Sequence, residues 1–144
     1  MIGVVFDPLH NEMFVAEKGK GAFLNGKRIT VSKEKNLNKS LIGMDSGHYK
    51  RSRTARKVAG FVDFVRGVRW QGAAALSLSY VSCGRLEGYF TANTKVWDVG
   101  AGVLLVKEAG GYTSEINGKA HHLFSKNVFA SNKRIHKKIL GKLK

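Results

Sequence analysis

An α/β fold is predicted for this chain of 144 residues, with an antiparallel β meander followed by a mixed sheet flanked by helices. Short β-type segments separated by turn residues fill the first part of the sequence. A polar, lysine-rich stretch over residues 32–39 interrupts them, and apolar strands then alternate with helical periodicity, as in layered α/β folds. We therefore predict two regions, residues 1–35 as the remnant of an N-terminal sheet and residues 36–144 as a C-terminal α/β domain.

The meander is predicted to contain two hairpins. Strands over residues 3–6 and 12–16 are joined by the turn sequence DPLHN, and strands over residues 22–24 and 28–31 are joined through Asn25-Gly26, a strong hairpin signal. Short strands of this kind form a stable sheet only when further strands or a covering helix complete it. We therefore expect an open edge and an uncovered apolar face, both of which favour association.

The second region alternates between strands and helices. A helix over residues 73–83 is predicted to be buried, because its residues are apolar on most faces. The last helix is basic and amphipathic. The predicted strands span residues 41–44, 67–70, 87–90, 112–115 and 127–130, and the predicted helices span residues 52–65, 73–83, 98–109 and 135–143.

The charge balance is strongly basic, with a formal net charge of +15. Such a surface is either simply solvated or a binding site for a polyanion such as RNA, and it would also attract phosphorylated substrates. Cys83 is the only cysteine, which excludes an intramolecular disulfide and indicates the reducing cytoplasm. The sequence has neither an apolar run of about 18 residues nor a signal-peptide pattern, so we expect no membrane partner.

Two segments contain candidate site residues. In VWDVGAGVLLVKEAGGYTSE, residues 96–115, Asp98 stands at the start of an apolar helix, where a carboxylate either caps free N–H groups or binds a hard cation. In RWQGAA, residues 69–74, Gly72 lies between a strand and a helix, where it forms a simple turn or leaves backbone amides free for a ligand. The five histidines have no zinc-site spacing and are interpreted as surface or loop residues.

Together with GVVFDPLHNEMFVAEKGKGAFLNGKRITVS, residues 3–32, these segments resemble the C-terminal part of the inositol monophosphatase family in order and spacing. The resemblance implies the latter part of an α/β/α/β/α sandwich, Mg²⁺-dependent hydrolysis of inositol 1-phosphate, and a homodimer. By position it implies that Asp98 is a metal ligand that also faces the substrate. It implies that Gly72, Ala73 and Ala74 form the loop that contacts inositol, and that Thr91 takes a position where many members carry a substrate-binding glutamate.

The sequence also departs from the family pattern. A DPxDGT-type segment, which carries most of the family's metal ligands, is absent, Ala73 replaces a serine or threonine, and Thr91 replaces the glutamate. The resemblance therefore leaves Asp98 as the one metal ligand and assigns no catalytic residue, and we expect the chain to be inactive alone. Three hypotheses follow. The chain is a C-terminal portion of a phosphatase, with the missing N-terminal portion as its partner, or it is a non-catalytic protein that binds RNA or transcription complexes. The third hypothesis is a folded remnant that dimerises through its exposed sheet.

Overall fold

The computed structural model describes residues 1–45, 56 and 60–142. Its first four strands form an antiparallel sheet in chain order, which we call the meander sheet. The first hairpin closes through DPLHN and the second through Asn25-Gly26, both as predicted. The strands are β1 (Ile2–Asp7), β2 (Glu12–Glu17), β3 (Gly21–Leu24) and β4 (Lys27–Ile29).

The next five strands form a second sheet, the mixed sheet, in the order β6-β5-β7-β9-β8. β5 runs parallel to β6 and β7, whereas β9 is antiparallel to β7 and β8. The predicted α/β class is therefore confirmed. The elements are β5 (Leu41–Asp45), β6 (Gly67–Arg69), β7 (Gly88–Ala92), β8 (Tyr112–Ser114), β9 (Asn127–Ser131), α1 (Ala74–Ser82), α2 (Val96–Glu108) and α3 (His136–Lys142).

The helices α1 and α2 form a layer between the two sheets. One side of α2 places Leu104 and Leu105 in a core with Val5 and Phe14 of the meander sheet. The other side of the helix pair packs on the mixed sheet, in a core that includes Val99, Val103, Leu78 and Tyr89. Because α2 is buried on both sides, its N-terminus is held in place by both sheets.

The opposite face of the mixed sheet is covered by α3, as Ile135 and Ile139 pack on Ile42 and Phe129. The layers therefore run from the meander sheet through the helix pair and the mixed sheet to α3, which is the latter part of the sandwich expected from the resemblance. None of the described helices is long and apolar enough to cross a membrane. The division of the chain at residue 35 stays a prediction.

The helix predicted over residues 52–65 lies largely outside the described residues. Within its described end, residues Val62–Phe64 form a 3-10 turn, so the prediction of an α-helix is wrong there. The reason is the closeness of the next strand: the Arg66 N–H already donates to the Ser40 carbonyl at 3.0 Å, beside β5. The chain therefore has no room for another α-helical turn before β6.

The prediction of surface histidines is wrong for His136, whose side chain is buried. Its Nε2 lies 2.9 Å from Ser114 Oγ and its Nδ1 lies 2.7 Å from Ser131 Oγ, and its ring stacks on Phe129. Burial lowers the pKa of His136 to about 4, so this imidazole is neutral at pH 7. Cys83 is half-buried and packs against the core between the meander sheet and the helices.

Candidate active site

A cleft of about 530 Å³ opens where the N-termini of α1 and α2 meet the ends of β1, β5 and β7. The structure brings all five residues predicted from the sequence to this cleft, although they come from three separate parts of the chain. They are Gly72, Ala73, Ala74, Thr91 and Asp98. The cleft also takes in Asp45 and the exposed indoles of Trp70 and Trp97, which the sequence reasoning missed.

Asp98 is the third residue of α2, which begins at Val96. The prediction that the helix begins at residue 98 is therefore wrong by two residues, because the Asp98 carboxylate reaches back to the residue before the helix. Its Oδ2 accepts the N–H of Lys95 at 2.9 Å. Its other carboxylate oxygen has no hydrogen-bond partner among the described residues. The same side chain thus caps the helix with one oxygen and keeps the other for the cleft.

Asp45 ends β5 and is 7% exposed. Its Oδ1 accepts the Gly72 N–H at 3.0 Å, and its Oδ2 accepts the Tyr89 O–H at 2.8 Å. Burial raises the pKa of Asp45 in spite of these two donors. Both oxygens therefore accept hydrogen bonds from protein groups. Through these bonds the carboxylate holds the chain in place just before α1. The signal in the sequence is an acid that ends the apolar segment LIGMD.

The sequence analysis expects free backbone N–H groups around Gly72, and the structure has them at the start of α1, just after Gly72. The Gly72 N–H is bonded to Asp45, and the positive φ of Gly72, 75°, requires a conformation that glycine adopts easily. The first N–H groups of α1, from Ala74 to Leu76, have no hydrogen-bond acceptor among the described residues, and Ala73 provides no side-chain cap. Because these three residues line the cleft, the start of α1 can accept an anion there.

Thr91 lies opposite Asp45 in the parallel pairing of β5 with β7 and is 3% exposed. It contributes to the cleft wall beside that carboxylate.

The whole chain, residues 1–144, matches the sequence model of the inositol monophosphatase family. The chain belongs to this family. It is 45% identical over 118 residues to the Nus factor SuhB of Xylella fastidiosa, which covers 80% of this chain and 43% of that protein. It is 34% identical over 145 residues to the inositol-1-monophosphatase of Mesorhizobium japonicum, which covers 99% of this chain and 54% of that protein.

The fold comparison agrees with the sequence comparison. The crystal structure of the extragenic suppressor protein SuhB from Bartonella henselae superposes with a TM-score of 0.95 at 35% identity, over 100% of this chain and 56% of that one. This inositol monophosphatase family chain therefore spans about half the length of the relatives it matches.

Inositol monophosphatases are generally metal-dependent, so the carboxylate oxygens in the cleft can be compared with the ligands that a metal ion takes. A magnesium ion takes six oxygen ligands in an octahedron and is bound through carboxylates, substrate phosphates and water. Asp45 has both oxygens engaged, which leaves one free oxygen, on Asp98. No group of three His, Cys, Asp or Glu side chains converges within the part of the chain that the structure describes. These residues alone do not fit a magnesium site.

Proposed function

We propose that this chain forms the substrate-binding part of an inositol monophosphatase active site. The reaction class of the completed site is the hydrolysis of a phosphomonoester such as inositol 1-phosphate, with Mg²⁺ as its cation and in the cytoplasm. The observation that carries the proposal is the meeting of two features in one cleft: the open N-terminus of α1 and the free oxygen of Asp98.

Each part of the cleft has a role in this proposal. The N–H groups from Ala74 to Leu76 bind phosphate oxygens, since they are unpaired donors at the positive end of a helix dipole. Asp45 holds Gly72, and this fixes the direction from which α1 begins. Ala73 leaves room beside the phosphate, and Asp98 places a negative charge where a cation or a substrate hydroxyl would lie. The net charge of +15 draws anionic substrates toward the protein.

A chimera tests this function. We expect the 144-residue chain alone to release no phosphate from inositol 1-phosphate with Mg²⁺, because its donor set does not fit the metal. We expect Mg²⁺-dependent release once this chain replaces the matched part of the Mesorhizobium japonicum enzyme, because the rest of that enzyme then completes the site. The measurement is released phosphate from both purified proteins, with the Mesorhizobium enzyme as the reference.

Two results would contradict the proposal. A folded chimera without activity would mean that residues of this chain, such as Ala73 and Thr91, do not form a competent substrate site. Turnover by the chain alone would mean that carboxylates within it already complete the metal site.

A second candidate function is RNA binding, favoured by one continuous basic face. The segment before β5 and the C-terminal region are adjacent, because Lys138 Nζ donates to the Lys35 carbonyl at 2.7 Å and Asn132 Nδ2 donates to the Glu34 carbonyl at 3.1 Å. The ion pairs between described residues involve none of the basic side chains on this face. All eight are exposed: Lys33, Lys35, Lys39, Lys133, Arg134, Lys137, Lys138 and Lys142. The relative from Xylella fastidiosa is named a Nus factor.

If this face binds RNA, affinity for a single-stranded RNA should fall steeply with salt, with a slope of several units in a plot of log K against log salt. The double substitution Lys137→Glu and Lys138→Glu should weaken binding and flatten the slope. The matched control is Lys18→Glu with Lys27→Glu, which makes the same change of four charge units at two exposed sites of the meander sheet. Filter binding at increasing salt measures both quantities. Equal effects at the two sites would mean that the positive charge acts only as a diffuse field.

A further inference from the structure

His136 connects three elements on the side of the mixed sheet that is remote from the helix pair. It is the first residue of α3, and it is only 4% exposed. Its ring stacks on Phe129 of β9 with the centroids 4.4 Å apart, and it meets Tyr112 of β8 edge-on at 4.8 Å. Its two nitrogens contact the hydroxyls of Ser114 on β8 and Ser131 on β9. We call Ser114, Ser131 and His136 the α3 latch, because together they tie α3 to both strands.

The hydrogen bonds of the two serines determine which ring nitrogen carries the proton. The Ser131 O–H donates to the Asn132 carbonyl at 2.9 Å, so its oxygen accepts from the ring, and Nδ1 carries the hydrogen. Nε2 then needs a donor, and the Ser114 hydroxyl lies 2.9 Å away. The Glu115 carbonyl, the other acceptor within reach of that hydroxyl, still accepts the Gly118 N–H at 2.9 Å. A neutral imidazole therefore satisfies every polar group of the α3 latch.

A second proton would place a positive charge on this buried ring. The groups that face the ring are uncharged in acid: Ser114 and Tyr112 on β8, and Ser131 and Phe129 on β9. Glu115 follows the latch serine of β8, but its carboxylate accepts the Ser125 O–H at 2.8 Å. Lys137 and Lys138, the next residues of α3, are positive and exposed. The ion pairs between described residues do not include His136, so no negative charge offsets a protonated ring there.

We infer that the α3 latch is an acid-sensitive switch, which holds α3 on the mixed sheet while the ring is neutral and releases α3 when the ring is protonated. An apolar side chain at this position would hold the helix at every pH. The basic face depends on the docked helix, because Lys138 Nζ donates to the Lys35 carbonyl only while α3 lies beside the segment before β5. Release of α3 would therefore divide the basic face. The inference goes beyond the proposed function and does not depend on it, since it concerns α3 and not the cleft.

The direction of the pH effect follows from the pKa of His136 in the two states. In the released helix the ring lies in water with its ordinary pKa of 6.5, whereas burial in the docked helix lowers the pKa to about 4. The released state therefore binds the proton more tightly. Docking keeps its full stability above pH 6.5 and loses it as the pH falls toward about 4. Within this window, each pH unit should shift the equilibrium toward release roughly 10-fold.

Amide hydrogen exchange, followed by NMR on the 144-residue chain, tests the inference. The Ile139 N–H donates to the Ile135 carbonyl at 3.0 Å, so its protection from exchange reports the docked helix. After correction for the intrinsic exchange rate at each pH, we expect this protection to fall roughly 10-fold per unit between about pH 6 and about pH 4.5. The Ala109 N–H, which donates to the Leu105 carbonyl at 2.9 Å in α2, is the internal reference and should lose far less protection.

His136→Leu removes the titrating ring and keeps an apolar side chain in its place. Both serine hydroxyls keep an acceptor in this variant, the carbonyls of Glu115 and Asn132. The protection of Ile139 should then be the same at both ends of the pH range. His121→Gln is the matched control, because burial also lowers the pKa of His121, which lies between β8 and β9 and outside the α3 latch. This control should keep the pH dependence of the wild-type chain.

A titration of the His136 ring in the wild-type chain tests the switch even if a variant fails to fold. Its ring resonances should titrate near pH 4, and its nitrogen resonances at neutral pH should show the proton on Nδ1. A ring that titrates near 6.5 or carries its proton on Nε2 would overturn the inference. So would wild-type protection of Ile139 that does not change with pH or that falls together with that of Ala109. The same pH dependence in His136→Leu as in the wild-type chain would also overturn it.

Discussion

Replacing Gly102 with alanine is expected to lower the free energy of unfolding by about 2 kcal/mol. Gly102 lies inside α2, where this helix crosses α1. A Cβ atom added at this position would lie 2.5 Å from the Cβ atom of Leu78 and 2.7 Å from its Cδ1. The Leu78 Cβ is attached directly to the backbone of α1, so a rotamer change cannot relieve the contact. The two helices would have to move apart.

The size of the effect follows from two opposing contributions. Overpacking in a dense core costs about 1–3 kcal/mol and sometimes more, whereas alanine in place of glycine within a helix gains about 1 kcal/mol. We expect an overpacking cost at the upper end of this range, about 3 kcal/mol, because the first clash involves an atom that cannot turn away, and the net loss is then about 2 kcal/mol. Separation of α1 from α2 would also displace Asp98 relative to the N–H groups at the start of α1, so affinity for the substrate should fall in the chimera.

Gly100 offers a matched control two residues earlier in the same helix. A Cβ atom there would lie 3.8 Å from Val96 Cγ2 and 4.0 Å from Leu123 Cδ1, which are ordinary contacts. Gly100→Ala should therefore be neutral or up to about 1 kcal/mol stabilising. Urea unfolding followed by circular dichroism compares the two variants. Equal stability of both would mean that the helices are not in close contact at Gly102.

Local patterns account for most of the fold that could be predicted. The hairpin signal at Asn25-Gly26 and the helical periodicity of residues 98–109 each depend on neighbours in sequence, and both elements formed within a few residues of the expected bounds. The exposed apolar side chains of β1, Ile2, Val4 and Phe6, were also expected, because a meander of short strands needs further strands or a covering helix to be stable. The expectation required no knowledge of what the cover is.

The features that were missed depend on contacts between distant residues. Asp45 acts at the cleft because it bonds to Gly72, 27 residues later, and this contact exists only once β5 lies beside the chain that leads into α1. His136 stands among lysines and an arginine in a basic segment, which favours exposure, yet its ring enters a space made by Ser114, Ser131 and Phe129. The acid that ends LIGMD marks Asp45 as polar at the end of a strand, but the partners of Asp45 and His136 lie far away in the sequence, so sequence patterns could not reveal either contact.

The second large effect concerns Asp98. In the chimera, Asp98→Asn should lower kcat for inositol 1-phosphate by about 100-fold or more, an effect of the size attributed to charge stabilisation at metal-dependent sites. An asparagine keeps an oxygen for the Lys95 N–H, so the cap of α2 and the fold should survive. The variant loses the negative charge of the carboxylate. The carboxylate oxygen that does not bond to Lys95 is the one that would bind a hard cation together with other ligands. The reaction rate and the apparent affinity for Mg²⁺ should therefore fall together.

Asp45→Asn is the informative comparison, because both oxygens of Asp45 already bind protein groups. An asparagine has one carbonyl oxygen and cannot accept both the Gly72 N–H and the Tyr89 O–H in the same way, so Gly72 is held less firmly. We expect an increase in KM with a change of less than about 10-fold in kcat, and little change in the dependence on Mg²⁺. Steady-state kinetics over a range of Mg²⁺ concentrations distinguish the two carboxylates. If the two substitutions had the same effect on kcat, Asp45 would have to contribute charge to the reacting site, and its hydrogen bonds to Gly72 and Tyr89 would have to rearrange when the substrate binds.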